Sequence, residues 1–161
     1  MNLDLIKLFE KIRDLPLYNP EFKEDIDNRC WSKHRKLKKL FEKEGIRSRY
    51  IVCSFKWSEQ RFPKEIINLP HDDRDYHLFL EVLMNNKWVV IDASNDSKLP
   101  EFNKWDGKNN CKIAVSYIKI FSPEESEKIE EDERKSNLHK IEKNSKFYKE
   151  VNIFLNRIRK R

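Results

Sequence analysis

Two adjacent asparagines, Asn85 and Asn86, set between two runs of strand-forming residues, constrain this chain more than any other feature. Asparagine tolerates the positive φ that a two-residue hairpin loop requires at its central positions. With the pair in the loop, Met84 lies opposite Lys87, Val82 opposite Val89, Leu80 opposite Ile91 and Phe79 opposite Asp92. Side chains alternate across a strand, so one face then carries Leu78, Leu80, Val82, Val89 and Ile91, all apolar. The other face is mixed: His77, Phe79, Glu81, Trp88, Val90 and Asp92. The purity of the first face selects this register. On the mixed face His77 and Asp92 become diagonal neighbours, roughly 7–8 Å apart between backbones and within side-chain reach.

Upstream, Asn28–Tyr50 predicts a helix running into a strand. Leu37, Leu40, Phe41 and Glu44 fall at helical spacing, with Leu37 and Phe41 on the same face as Cys30 and His34. Gly45, one of two glycines in the chain, stands where a helix ends on a left-handed residue. Cys30 therefore opens a helix of about four turns, where free N–H groups and the dipole favour a thiolate over a thiol. A cysteine so placed is either a nucleophile or a small buried apolar residue. The hairpin tips the balance, because a His–Asp pair is the base and orienter that a nucleophilic thiol needs. His34, one turn after Cys30, reads as a packing or supporting residue, since two residues of one helix give poor in-line geometry. Lys33, Arg35, Lys36, Lys38, Lys39 and Lys43 are expected on a solvated helix face. A field attracting acidic substrates or nucleic acid is the alternative.

The remainder supplies a core and its covers. At 161 residues one core is expected, and 38% hydrophobic residues with four Trp and ten Phe are enough to build it. No run approaches the roughly 20 apolar residues of a membrane span, and no signal peptide opens the chain. Three cysteines without zinc spacing suit reduced thiols, which implies a cytoplasmic location. Residues 2–15 predict a first helix with a Leu5, Leu8, Phe9, Ile12 stripe, and residues 21–26 a helical turn. Arg49–Trp57 reads as a strand with Ile51, Cys53, Phe55 and Trp57 on one face, and Lys112–Phe121 as another. Between them, Ser58–Asp75 is a connection long enough to be a lid, with Arg61, His71, Asp72, Asp73 and Arg74 either lining a cleft or simply solvated. Ser122-Pro123-Glu124-Glu125 starts a helix whose charged part, Glu124–Arg134, is expected to project into solvent. Its later stripe, Phe147, Val151, Phe154, Leu155 and Ile158, is expected to pack on the domain.

Taken together, the two central stretches resemble the transglutaminase-like superfamily, whose members share a circularly permuted papain fold. The resemblance rests on Cys30-Trp31 opening a helix and on Gly45, Ile46 and Arg49 as a Gly-Ile-x-x-Arg turn. It continues with His77, Phe79, Glu81 and Val82 as a His-x-aromatic-x-Glu-Val strand, and with Trp88 ahead of Asp92. With Trp105-Asp106-Gly107 it covers residues 28–115. It implies an α+β, cysteine-protease fold: N-terminal helices on an antiparallel sheet of about four strands in residues 1–121, and a charged helical C-terminal extension in 122–161.

The implied activity is acyl transfer at a carboxamide or peptide bond through a thioester, with Cys30, His77 and Asp92 as catalytic residues. Cys30 would attack the carbonyl carbon, His77 would accept its proton and return one to the leaving amine, and Asp92 would hold the imidazole's tautomer. The Cys30 backbone N–H would be one oxyanion donor. Asn28 could donate an amide hydrogen bond, and Trp31 or Trp88 would shield the site from water. No cofactor and no metal is implied, since no cluster has ligand spacing and a thiol–imidazole pair needs none. Small size and the lack of a recognisable calcium site favour water over an amine as acceptor, hence a peptidase or amidase. The competing class is a non-catalytic binding module using the basic surface (net charge +6) and the C-terminal helix. Expected partners are peptide, protein or amide substrates rather than membrane or nucleic acid, and the oligomeric state is open.

Overall fold

Four antiparallel strands form one sheet in the order β3-β2-β1-β4, in a computed structural model that describes residues 2–159. The basic residues Lys160 and Arg161 lie outside the described part. In chain order the elements are α1 (Asn2–Arg13), α2 (Cys30–Lys43), β1 (Ser48–Lys56), a short α3 (Lys64–Ile67), β2 (Arg74–Met84), β3 (Lys87–Ile91), β4 (Tyr117–Ile120) and α4 (Pro123–Arg159). The chain is thus an α+β protein with helices leading, an antiparallel sheet between, and one long helix closing.

The hairpin has the expected register. Asn85 and Asn86 adopt φ values of 49° and 61°, and Met84, Val82 and Leu80 face Lys87, Val89 and Ile91. Asp92 follows directly on the last paired residue. Leu80, Val82, Val89 and Ile91 pack with Leu5, Phe9 and Ile12 of α1 and Leu37 and Phe41 of α2. Each such side chain removed from water stabilises the fold by about 1.5–3 kcal/mol. The opposite face, with Ile51, Cys53 and Phe79, is covered by Ile113 and Val115 from the segment before β4.

Helix α2 ends as its sequence predicts. Gly45 takes φ 73°, its N–H donates to Glu42 O (3.0 Å), and the Ile46 N–H reaches Phe41 O (2.9 Å). This pair of bonds satisfies carbonyls that the last turn leaves open. The β1 strand matches its expected span within a residue, with Trp57 passing into a single 3-10 turn.

Three expectations are corrected. Residues 21–26 are a turn and not helical, because the Asp25 carboxylate accepts the Glu21 and Phe22 N–H groups (2.9 and 3.0 Å). A local side-chain acceptor of this kind competes with helix. Of Lys112–Phe121 only Tyr117–Ile120 is strand. The Ala114 N–H is taken by Asp92 Oδ2 (2.8 Å), and Ser116 exchanges both backbone groups with the Gln60 amide (2.9 and 3.0 Å), so side chains replace the ladder.

Residues 124–134 do not project into solvent, which is the third correction. Ser122 and Glu125 cap α4 reciprocally, with Glu125 N–H to Ser122 Oγ at 3.1 Å and Ser122 N–H to Glu125 Oε2 at 3.3 Å. From there Ser126, Glu130 and Glu133 are all buried. Ser126 Oγ accepts the Val52 N–H (2.8 Å), and Glu130 accepts from Arg35 (2.7 Å) and Arg134 (2.9 Å). The second half packs Phe147, Tyr148, Val151 and Leu155 around Ile66 and Leu99. Near its end Arg159 holds Asp96 (2.7 Å) and the Leu17 carbonyl (2.8 Å). Among the described residues no helix is long and apolar enough to cross a membrane.

Candidate functional site

Cys30 is the first residue of α2, and no acidic side chain occupies that helix's first turn. The first α-helical bond runs from Lys33 N–H to Arg29 O (3.1 Å), so the amides before it lack an acceptor within the helix. Arg29, which flanks the cysteine, is turned away onto Asp27 (3.0 Å) and Asn137. Cys30 is partly exposed and, with His77, lines a cleft of about 710 Å³.

His77 sits near the start of β2 and Asp92 just past the end of β3, and the hairpin register brings them together. His77 Nε2 donates to Asp92 Oδ2 at 2.7 Å, with both side chains almost wholly buried. That bond leaves Nδ1 free, and Cys30 lines the same cleft near enough to the imidazole for its charge to act on it. Burial alone would lower the pKa of His77. The Asp92 carboxylate, and after it Cys30, outweigh that and hold it above the ordinary value.

Asp92 has no free acceptor. Oδ2 takes His77 and the Ala114 N–H, while Oδ1 takes the Ser94 N–H (3.0 Å) and Ser94 Oγ–H (2.6 Å). Burial opposes its charge, but His77 and these donors overcome it and push the carboxyl well below the usual range. A carboxylate pinned by four donors cannot rotate, so the imidazole it holds is fixed as well.

His34 supports this arrangement from behind. Wholly buried, it donates from Nδ1 to the Cys30 carbonyl (2.8 Å) and accepts the Ala93 N–H at Nε2 (2.9 Å). Because Nε2 is an acceptor there, its 3.6 Å approach to Asp92 Oδ1 is not an ion pair. Burial lowers its pKa to about 4, so it is neutral at pH 7. One imidazole thereby ties the residue that opens α2 to the residue that follows Asp92.

Lys33 corrects the expectation of a solvated face. It is fully buried, with Nζ donating to the carbonyls of Arg13 (2.9 Å) and Ser94 (2.8 Å). Burial lowers its pKa to about 8. It clamps α1 to the strand end that carries Asp92 and Ser94. Of the remaining cations Arg35 pairs with Glu130 and Lys38 with Glu42, while Lys36, Lys39 and Lys43 are exposed, as expected of a solvated face.

The other expected site residues separate. Trp31 lines the cleft and packs on Val52 and Leu78. Trp88 does not line it. It lies one residue from the hairpin loop, with the Arg49 guanidinium 3.9 Å from its ring centre, so it cannot shield the thiol. Asn28 is buried, but it is not on the cleft wall, and its N–H is bound by Tyr18 O (3.3 Å). In the Ser58–Asp75 connection Arg61 and Asp75 reach the cleft; His71 instead stacks on Phe147 (4.0 Å between ring centres). Cys53 and Cys111 are buried, and burial raises both thiols to about 12.

Tyr148 was not anticipated. It is 2% exposed, lines the cleft from α4, and among the described residues its hydroxyl has no hydrogen-bond partner. Burial, and next to it Asp75, raise its pKa to about 12, so it is a donor at neutral pH. The sequence signal was present, one residue beside Phe147 in the apolar stripe, but nothing in it distinguished a cleft-facing phenol from a core one.

No family model, curated protein or solved structure matches this chain. The reading of the site therefore rests on its geometry.

Proposed function

We propose that this protein is a thiol enzyme of transglutaminase-like, circularly permuted papain type, which breaks a carboxamide or peptide bond through an acyl thioester on Cys30. The observation that carries the reading is the 2.7 Å bond from His77 Nε2 to an Asp92 carboxylate saturated by four donors, beside a cysteine at a helix N-terminus. A merely structural His–Asp pair does not need a partly exposed thiol lining the same cleft. Here the Cys30 thiolate attacks the carbonyl carbon and His77 carries the proton to the leaving amine. Asp92 keeps the proton of the neutral imidazole on Nε2 and steadies the imidazolium. Water then takes the acyl group from sulfur, so the reaction is a hydrolysis. The helix-opening amides are suited to hold the oxyanion, and the Tyr148 hydroxyl is a further donor on the same cleft.

The test needs no natural substrate. Iodoacetamide should alkylate Cys30 well before the buried Cys53 or Cys111, and His77→Ala should slow the alkylation of Cys30. Para-nitrophenyl acetate should leave an acetyl thioester mapped by mass spectrometry to Cys30, and the thioester should then hydrolyse. If Cys111 reacts as fast as Cys30, or if Cys30 alkylates without ever accepting an acetyl group, the reading fails.

A further inference from the structure

Helix α4 lies along the cleft and contributes Tyr148, Val151, Phe154, Leu155 and Ile158 to its lining. Facing them are aromatic and aliphatic side chains, among them Trp57, Phe62, Leu99 and Phe102. Several of these, Trp57, Phe62, Phe154 and Ile158, belong to the apolar cluster around Leu155 yet are only partly buried. Protein interiors pack close to crystal density, so an apolar cluster that stays open around a cavity of this size is built for an occupant.

The polar groups of the cleft narrow what that occupant can be. Asp75 accepts Trp57 Nε1 (3.1 Å) and is paired with Lys140, which also binds Glu133 (2.8 Å). Arg29 is committed to Asp27 and Asn137, and Asn19 exchanges three bonds with Asn152 (2.7–3.2 Å). At the rim Arg61 is bound to Glu101 (2.6 Å). Lys104 and Lys112 line the cleft as well, without an acidic partner among the described residues but at exposed positions, while the deeper groups satisfy one another and leave the Tyr148 hydroxyl as an open donor facing inward. A charged or carboxamide side chain would lose its water there and gain too few partners, at a cost of about 1–3 kcal/mol or more. An apolar group loses nothing.

We infer that α4 makes this cleft an acyl-donor pocket selecting a bulky apolar group attached to the scissile carbonyl. The inference rests on the thiol-enzyme reading of Cys30 and adds the class of substrate. The chemistry is shared by a hydrophobic amino-acid side chain and an aliphatic acyl chain, and the two are separated by the choice of ester.

The experiment measures para-nitrophenolate release by the full chain, with Cys30→Ala as blank and free cysteine as the reference for intrinsic ester reactivity. In each turnover the C–S bond forms, the ester C–O bond breaks, and para-nitrophenolate leaves with the electron pair. One arm compares octanoate with acetate, the other N-acetyl-phenylalanine with N-acetyl-glycine. Each methylene buried is worth about fourfold, so burying three of the six extra methylenes of octanoate gives roughly a 60-fold preference. A bulky-to-small ratio above about tenfold in either arm is the expected result. Leu155→Trp, which fills the cavity with apolar volume, should lower that ratio severalfold. Ile158→Trp, at a partly exposed position, serves if the first variant does not fold. The rate of iodoacetamide alkylation at Cys30 checks that fold and thiol are intact. Ratios near one in both arms, or a preference unchanged by both cavity-filling variants, overturn the inference. If wild-type Cys30 alkylates but accepts no acyl group from any ester, the enzyme reading itself falls, a separate outcome.

Discussion

Replacing His34 by a residue that cannot titrate should remove most of the acid sensitivity of this fold between pH 7 and pH 5. Its buried, neutral state lowers its pKa from the ordinary 6.5 to about 4. The unfolded chain takes up a proton at this histidine below pH 6.5 while the folded chain refuses it until about 4. Stability is therefore lost as pH falls through that window. Each tenfold difference in proton affinity is worth about 1.4 kcal/mol, so the full loss is about 3 kcal/mol, of which about 2 kcal/mol falls between pH 7 and pH 5. Of the neighbouring groups only His77 also contributes in that window, and with the opposite sign. His77 is raised, so its contribution is lost as pH rises from 6.5 through its folded value and grows by about 1 kcal/mol as pH falls from 7 to 5, equally in wild type and in a His34 variant. Asp92 is lowered, so its contribution is lost only as pH falls below about 4. Lys33 differs from the unfolded chain only above pH 8. His34→Gln keeps one donor and one acceptor for the Cys30 carbonyl and the Ala93 N–H, and should cost about 1–3 kcal/mol at pH 7 through imperfect geometry. Urea unfolding at pH 7, 6 and 5 should show wild type losing about 2 kcal/mol relative to the variant. Parallel curves, separated by the same free energy at all three pH values, would refute the reasoning, because His34 would then contribute hydrogen bonds and no linkage.

Two further outcomes follow from the same geometry. Asp92→Asn leaves either the Ala114 or the Ser94 N–H facing an amide NH2, so it should destabilise by about 1–3 kcal/mol and slow ester acylation of Cys30 by about 10³–10⁴, read by urea unfolding and para-nitrophenolate release; acylation within a factor of about three of wild type would contradict it. Arg159→Ala strands a buried Asp96 and frees the Leu17 carbonyl, so it should cost about 3–5 kcal/mol and raise amide hydrogen exchange along the last turns of α4, and wild-type exchange there would show that the clamp is idle.

The site was legible where it depends on short-range rules. Two asparagines fix the loop, the loop fixes the register, and the register brings His77 within reach of Asp92 without any knowledge of the rest of the chain. Gly45 and the apolar spacing before it likewise fix α2 and put Cys30 at its start. What could not be read depends on contacts between distant segments. Lys33 looks like its five cationic neighbours in the sequence, yet it is buried because the Arg13 and Ser94 carbonyls need a donor between α1 and the strand end. Trp88 sits in a motif position yet stacks under Arg49, because the strand carries it from the Asp92 end of the hairpin to the loop end. The stretch before β4 alternates like a strand, but Asp92 and Gln60 draw its N–H groups out of the ladder.

Helix α4 carries this argument furthest. Its first half reads as solvated because nearly every residue is polar, and linear periodicity cannot see that Glu130 meets Arg35 of α2, or that Lys140 meets Asp75 of β2. These pairs fix the helix against two elements that also carry the thiol and the imidazole. The pairing has a consequence for the cleft. Asp75 is two residues before His77 on the same strand face, and it binds Lys140 of α4 and Trp57 together. Any shift of α4 therefore pulls on the strand end that holds the imidazole, and any substrate that widens the apolar wall must work against the Arg159–Asp96 and Asn152–Asn19 clamps. In the proposed reaction, the helix that looks like an appendage in the sequence is the wall against which the reactive carbonyl would be pressed, so binding at α4 and reactivity at Cys30 would be coupled through one unit.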